Sequence, residues 1–159
     1  MQIVDFSNTE HYLWGVGCDG WHLLKRDDLS IIAERVPPGE RERRHYHNRS
    51  RQFFYILTGT ATIEVDGEIK VLQMHQGIEI PPGVVHQFRN ESSVEVRFLV
   101  ISVPKSHGDR IEDDGNYKLL DWFISDRYNQ NPMKILVLNT GSSSQKSCLY
   151  EISVNAALP

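Results

Sequence analysis

Short runs in which apolar and polar residues alternate dominate the chain from about residue 20 to about residue 105. Glycine, proline or Asp-Gly bounds each of them: LSIIAERV (29–36), QFFYILTG (52–59), TATIEV (60–65), EIKVLQ (68–73), IEI (78–80), VVHQFRN (84–90) and VEVRFLVISV (94–103). Alternation is the pattern of a half-buried strand, and Asp66-Gly67 is a two-residue hairpin turn. Asp19-Gly20 is a further candidate turn. Regular short strands of this kind predict an all-β domain, an antiparallel sandwich or barrel.

The C-terminal part of the chain has a different pattern. Only KLLDWFISDRY (118–128) approaches the period of a helix, so we expect a short helix or a final strand there, outside the β core. The polar segment YNQNP (128–132) then interrupts the chain before MKILVLNTGSSSQKS (133–147). We therefore predict a β domain at residues 1–130 and an appended tail at residues 131–159.

Composition and charge narrow the class of protein. The 159 residues are 40% hydrophobic and 24% charged, as in one soluble globular domain, and this length can bury a core without disulfides. The net charge of −4 argues against nucleic acid or a membrane surface as a partner. Cys18 and Cys148 lie far apart without a CxxC motif, and no signal peptide is readable at the N-terminus. We therefore expect a cytoplasmic protein.

Two histidines in the charged segment GERERRHYHNRSRQ (39–52) are candidates for a metal site. In a strand His45 and His47 project from the same face, so both imidazoles can converge on one ion. An isolated HxH pair is more often two exposed histidines in a polar loop. The surroundings reverse this preference, because further residues stand at set distances around and downstream of the pair: Gly39, Gln52, Gly59, Gly83, His86 and Asn90. Gln52 and His86 also each share a strand face with apolar residues, as in a small-molecule pocket.

The spacing of these residues resembles the two motifs of the cupin superfamily. The first motif is matched by Gly39, five residues, His45-Tyr46-His47, four residues, Gln52, six residues and Gly59, and the second by IPPGVVHQFRN (80–90) with His86 and Asn90. The resemblance extends over about residues 20–105. It implies a jelly-roll β-barrel in which His45, His47, residue 52 and His86 converge on a divalent metal. It also implies a homodimer.

Two positions depart from the family pattern. Gln52 stands where the family has a glutamate, and His75 stands where the second motif begins with a glycine. Gly77 follows closely in MHQGIEIPPG (74–83), so a shifted turn would give Gly77 the role of that glycine. His75 would then be an exposed turn residue or a residue at the rim of the pocket.

The glutamine changes the chemistry that the resemblance implies. Three neutral imidazoles and a neutral amide leave a divalent ion with its full double charge. Bound water is then more acidic, and metal affinity is lower, than with a glutamate. Such a ligand set stabilises ferric iron poorly and favours Zn²⁺, Ni²⁺, Cu²⁺ or a persistently divalent Mn or Fe. Alternatively, Gln52 only lines the pocket, and the metal has three histidines with open positions.

Two classes of function are open at this point. The first is a metal-dependent enzyme that acts on a polar small molecule by isomerase, hydrolytic or oxygenase-type chemistry, and the second is a non-catalytic binding or sensor cupin. The sequence identifies no general base. Glu34 and Glu42 interleave with arginines at residues 35–51, which indicates a solvated, self-paired strand face. Arg43 lies on the side of His45 and is either a ligand for a substrate carboxylate or a surface residue.

The tail resembles a second family. MKILVLNTGSSSQKS (133–147) is similar to the very start of acetate kinases, in which a strand leads into an N-x-G-S-S-S turn at the phosphoryl-transfer site. Asn139 and Lys146 occupy the positions that serve that site in the family. The resemblance covers only this short segment, so we expect a fragment joined to the β domain and no kinase activity.

Overall fold

A computed structural model describes residues 2–113, 133–139 and 146–152, and the regular elements in these ranges are all β-strands. They are β1 (Glu10–Trp14), β2 (Cys18–Lys25), β3 (Ser30–Val36), β4 (His45–His47), β5 (Arg51–Thr58), β6 (Ala61–Val65), β7 (Glu68–Leu72), β8 (Gly77–Ile80), β9 (His86–Arg89), β10 (Val96–Val103), β11 (Arg110–Glu112), β12 (Met133–Asn139) and β13 (Lys146–Ile152). No helix in the described ranges is long and apolar enough to cross a membrane.

The strands from β1 to β11 form two antiparallel sheets. One sheet has the order β1-β2-β3-β10-β5-β8, and the other has the order β11-β4-β9-β6-β7. Each of the seven runs predicted from alternation overlaps one of these strands, and the all-β jelly-roll prediction is confirmed. The candidate turn at Asp19-Gly20 is wrong, because both residues lie inside β2 and pair with β3. The ring of Tyr12 covers Gly20, whose added Cβ would lie 2.3 Å from the ring, so this glycine serves close packing rather than a turn.

The hydrophobic core lies between the two sheets. Three aromatic rings from facing strands form its centre: Phe88 of β9 stacks on Phe98 of β10 with ring centroids 4.0 Å apart, and Phe54 of β5 stacks beside both. All three side chains are buried, together with Ile56 and Ile63. Rings of this size supply most of the apolar burial that stabilises a small domain. Buried side chains from both sheets thus form one continuous core.

The turn before β8 differs from the expectation of a shifted glycine. His75 itself adopts the left-handed conformation, with φ of 67°, and its backbone N–H donates to the carbonyl oxygen of Ile56 at 2.8 Å. An L-residue in this conformation costs about 1 kcal/mol. Gly77 is needed for a different reason, since a Cβ there would lie 2.5 Å from the ring of Phe53 and 2.8 Å from the carbonyl oxygen of Phe54. His75 is exposed, as a turn residue is expected to be.

The chain divides into two units, residues 1–114 and 115–159. In the second unit β12 pairs antiparallel with β13, in a register that runs from Met133 opposite Ile152 to Asn139 opposite Lys146. The segment predicted as a short helix or strand, residues 118–128, lies outside the described residues, as do residues 140–145 of the kinase-like turn. The domain boundary at residue 130 and the acetate kinase resemblance of the tail both stay predictions.

Candidate metal centre

Three histidines meet because β4 and β9 are neighbours in the five-stranded sheet. His45 lies directly opposite His86 in the ladder, with ring centroids 4.3 Å apart. Strand alternation then places His47 on the same inward face of β4, and all three side chains are buried. One nitrogen from each ring lies within 4.8 Å of the other two, a separation short enough for a single ion to contact all three.

Two of the rings are oriented by the backbone just before them. The Nδ1 atom of His45 lies 2.9 Å from the carbonyl oxygen of Arg43, and Nδ1 of His86 lies 3.0 Å from that of Val84. A carbonyl oxygen only accepts, so each Nδ1–H donates and each Nε2 keeps its lone pair. His47 Nδ1 is buried without a hydrogen-bond partner among the described residues. A metal ligand whose other ring nitrogen donates to a carbonyl is the usual arrangement at protein metal sites.

Gln52 of β5 reaches the same point from the opposite sheet. Its Oε1 lies 3.0 Å from His86 Nε2, and its amide nitrogen lies 3.4 Å from the Ser102 hydroxyl. Both Oε1 and Nε2 are acceptors in this arrangement, so their contact is unfavourable unless a cation lies between them. Two ligands at right angles and about 2.1 Å from a common ion are about 3.0 Å apart. The donor set therefore fits a divalent metal.

The three rings are poised to bind as neutral ligands. Burial lowers the pKa of His45 to about 4, of His47 to about 3 and of His86 to about 4, and the neighbouring histidines or Arg110 add to the effect. A charged imidazole cannot coordinate a metal, so these low pKa values keep every ring competent at neutral pH. This arrangement lowers the stability of the metal-free fold, because three unprotonated ring nitrogens are buried close together.

An open pocket of about 560 Å³ lies above this cluster. His45, His47, Gln52 and Phe54 line its inner end, while His86 lies behind them, buried. The walls come from β1, β3, the segment between β3 and β4, and the segment that ends in β11: Tyr12, Trp14, Ile32, Glu34, Arg41, Glu42, Arg43, Ser106, His107 and Arg110. The volume suits a small organic molecule, and its polar wall suits a polar one.

Comparison with known proteins decides the family. A cupin domain profile matches residues 33–102, the stretch that carries all four candidate ligands. An uncharacterized protein of Methanocaldococcus jannaschii is 33% identical over 89 residues, which cover 55% of this chain and 71% of that protein. The chain belongs to the cupin superfamily.

Other relatives of this cupin carry names. Polyketide synthase CurC of Streptomyces cyaneus is 40% identical over 62 residues, which cover 39% of this chain and 40% of CurC. The match thus spans less than half of the length of that relative. Among solved structures, an RmlC-like cupin from Shewanella frigidimarina superposes with a TM-score of 0.61 at 23% identity, covering 67% of this chain and 94% of that one. That likeness concerns the fold.

Several pocket residues of this cupin were not recognised in the sequence. Glu34 is not part of a solvated strand face, because it projects inward from β3 between Ile32 and Val36 and is only 8% exposed. The expectation of a solvated face is wrong because alternation along β3 sends Arg35 outward to Asp19 and turns Glu34 into the pocket. An acidic residue on the apolar face of a strand is the signal that could have found it.

Proposed function

We propose that this cupin is an enzyme that depends on a divalent metal and acts on a polar small molecule. The observation that carries the proposal is the convergence of three neutral imidazoles and the Gln52 amide at the inner end of an open pocket. His45, His47, His86 and Gln52 would hold the metal, with Zn²⁺, Ni²⁺, Mn²⁺, Fe²⁺ and Cu²⁺ as candidates. Such an ion polarises a carbonyl or hydroxyl group, or acidifies a bound water.

An enzyme is favoured over a binding or sensor module by the acidic groups in the pocket. Glu34 and Glu42 line the same cavity as His45 and His47, so proton donors or acceptors face a molecule held there. CurC is named a polyketide synthase, and polyketides are chains rich in carbonyl groups. A carbonyl-bearing substrate is therefore the class that we propose. The other chemistries open to a cupin, hydrolysis and oxygenation, would use the same pocket.

Two arginines at the pocket suit an anionic end on that substrate. Arg41 and Arg43 are exposed and line the cavity, and neither forms an ion pair with any residue that the structure describes. A guanidinium without a protein partner can bind a carboxylate through two parallel hydrogen bonds. We propose Arg43, on the same side of the chain as His45, as the first of these contacts.

A metal titration tests the proposed ligands. Purified protein stripped with a chelator should bind one equivalent of Zn²⁺ at micromolar concentration and neutral pH, and His45→Ala or His86→Ala should remove that binding. His11→Ala is the matched control, because His11 pairs with Asp19 away from the cluster and should leave binding intact. If the wild-type protein binds no transition metal, or if the control variant loses it equally, the ligand assignment fails.

We also propose that the protein forms a homodimer through the outer face of the six-stranded sheet. The outward side chains of β5 and β10 are apolar or aromatic apart from Arg51 and Arg97: Phe53, Tyr55, Leu57, Leu99, Ile101 and Val103. Phe53 is 39% exposed and Val103 is 52% exposed, which is unusual for a sheet face in contact with water only. A second copy of the chain offers the same surface, as a two-fold interface requires.

A further inference from the structure

Glu34 occupies an inward-facing position of β3, where an apolar residue is usual. Its strand neighbours on the same face, Ile32 and Val36, are buried, and Val36 belongs to the core. Burying a carboxyl group among such residues destabilises a protein unless the group gains partners. Buried ionisable groups that destabilise a fold in this way are commonly functional. The contacts of Glu34 show what it is placed to do.

Only one of the two carboxyl oxygens of Glu34 is satisfied. The Tyr12 hydroxyl donates to Oε1 at 3.1 Å, whereas Oε2 is buried without a hydrogen-bond partner among the described residues. Glu34 also lines the pocket, so its carboxyl group lies at the wall of the cavity, held by Tyr12 through one oxygen and without a partner at the other among the described residues. A carboxyl group held in this way at a pocket wall is suited to general acid or base chemistry.

Glu42, which lies between β3 and β4, is a second carboxyl group in the same pocket. Its Oε2 is also buried without a partner, and its Oε1 lies 3.6 Å from Arg110 Nη1. Burial raises the pKa of Glu34 to about 8, and the like charge of Glu42 is the second cause. Burial likewise raises the pKa of Glu42, against the charge of Arg110. Two carboxyl groups in one water-poor site hold a proton more readily than either alone.

The other titratable groups around Glu34 are few. Tyr12 of β1 and Arg110 of β11 favour its charged form, Glu42 opposes it, and the Cys18 thiol of β2 is buried close enough to sense its charge. His22 and His107 pack on the Tyr12 ring. No lysine contributes to the Glu34 environment among the described residues. Among these groups, Glu42 is therefore the one whose removal should change the pKa of Glu34 most.

We propose that Glu34 is the general acid–base of this cupin, which exchanges a proton with a carbonyl-bearing substrate held above the histidine cluster. The inference rests on the proposed function, since it needs a substrate in that pocket. In one direction ionised Glu34 removes a proton from the carbon next to the carbonyl group. The C–H electron pair becomes the C=C bond of an enolate, and the carbonyl electron pair moves to oxygen. In the other direction protonated Glu34 returns the proton to carbon.

The first experiment follows the Glu34 carboxyl group directly. In protein labelled with ¹³C at the glutamate side-chain carboxyls, the NMR signal that disappears in Glu34→Gln should titrate near pH 8. Glu42→Gln should lower the pKa of that signal by at least about one unit, because it removes a like charge. Tyr12→Phe should raise the pKa, because it removes a donor to the charged form. Glu91→Gln, on the surface, is the control and should change nothing.

A Glu34 signal that titrates at an ordinary value of about 4.3, and that ignores Glu42→Gln, would overturn the proposal. Where Glu34→Gln fails to fold, Glu34→Asp removes the same labelled glutamate signal and identifies it. These pKa responses test the electrostatic environment of Glu34, and proton exchange with a substrate tests its role.

The second experiment measures proton exchange with a probe that has a carbonyl and a carboxylate. Zinc-loaded protein should accelerate the loss of deuterium from the methyl group of deuterated pyruvate, followed by proton NMR in water. Glu34→Gln should slow this exchange by about 10²–10⁴-fold while zinc affinity stays unchanged. His45→Ala should lose both zinc and exchange, which tests the metal site separately.

The outcomes separate the two proposals. Exchange at the wild-type rate in Glu34→Gln would overturn the role of Glu34 and leave the metal-dependent function standing. Exchange that persists without metal in His45→Ala would refute the proposed function and keep Glu34 as the base. Zinc-loaded wild-type protein that does not accelerate exchange at all would overturn both.

Discussion

Replacing Gln52 with glutamate asks whether this side chain binds the metal or only lines the pocket. The two side chains have nearly the same shape, and Oε1 of Gln52 already lies 3.0 Å from His86 Nε2. The substitution therefore changes the charge at the coordination point with little change in geometry. If Gln52 is a ligand, the net charge of the metal site falls by one and the metal should bind more tightly.

The size of the effect follows from the burial of Gln52, which is 5% exposed. At an effective dielectric constant of about 20, a carboxylate and a divalent ion about 3 Å apart attract each other by about 11 kcal/mol. Desolvating the carboxylate costs several kcal/mol, and the amide oxygen that it replaces was already a dipolar ligand. We expect a net gain of about 1.4–2.8 kcal/mol, or tenfold to hundredfold tighter binding.

The assay combines zinc affinity, measured against a competing chelator, with the melting temperature with and without zinc. Without metal, the new carboxylate would face the unprotonated Nε2 of His86, which is also an acceptor, and should reduce the free energy of unfolding by about 1–3 kcal/mol. Zinc should more than restore it, because a ligand that binds only the folded state stabilises that state. Gln73→Glu, an exposed control, should leave both quantities unchanged. Unchanged or weaker zinc binding in Gln52→Glu, with lower stability, would refute the ligand role.

Three further predictions concern pH, the tail and assembly. The unfolded pKa of histidine, about 6.5, exceeds the folded values of His45, His47 and His86. The unfolded chain therefore takes up more protons as pH falls from about 7 to about 4, and stability of the metal-free protein should decline across that window, visible as a falling urea midpoint. A flat profile would contradict the low pKa values. Truncation after residue 130 should leave a soluble protein that binds zinc with an unchanged melting temperature. A large fall would make the tail integral to the domain. Phe53→Arg should convert a dimer to a monomer in size-exclusion chromatography with light scattering, whereas a monomeric wild type would refute the interface.

The sequence predicted those elements in which each residue type has one dominant structural role. β3 and the strands from β5 to β10 follow from alternation and turns. The inward positions of His45, His47, Gln52 and His86 follow from a period of two along their strands. β2 was not foreseen, since Asp19-Gly20 has the composition of a turn and only the Tyr12 ring above Gly20 explains the glycine. Local patterns do not record such contacts between strands.

The pocket wall also depends on contacts between segments that local sequence patterns do not record. Glu34 and Arg110 are distant in sequence, and the segment that ends in β11 reaches the pocket only because β11 pairs with β4. Pairing between distant segments depends on the whole sheet order, which short-range patterns leave undetermined. The left-handed His75 was also unpredictable, because a glycine is the ordinary choice for that conformation.

The hydrogen bonds that orient His45 and His86 have a consequence for protein engineering. Each ring is aimed by a main-chain carbonyl two residues earlier, at Arg43 and at Val84, and a main-chain atom survives any substitution of the side chain that it accompanies. The cavity wall, by contrast, is built from side chains, including that of Arg43 itself. Variant libraries at the wall can therefore alter which molecules enter the pocket while His45 and His86 keep their orientation. A new substrate preference and retention of the proposed metal are then separable design goals in this scaffold.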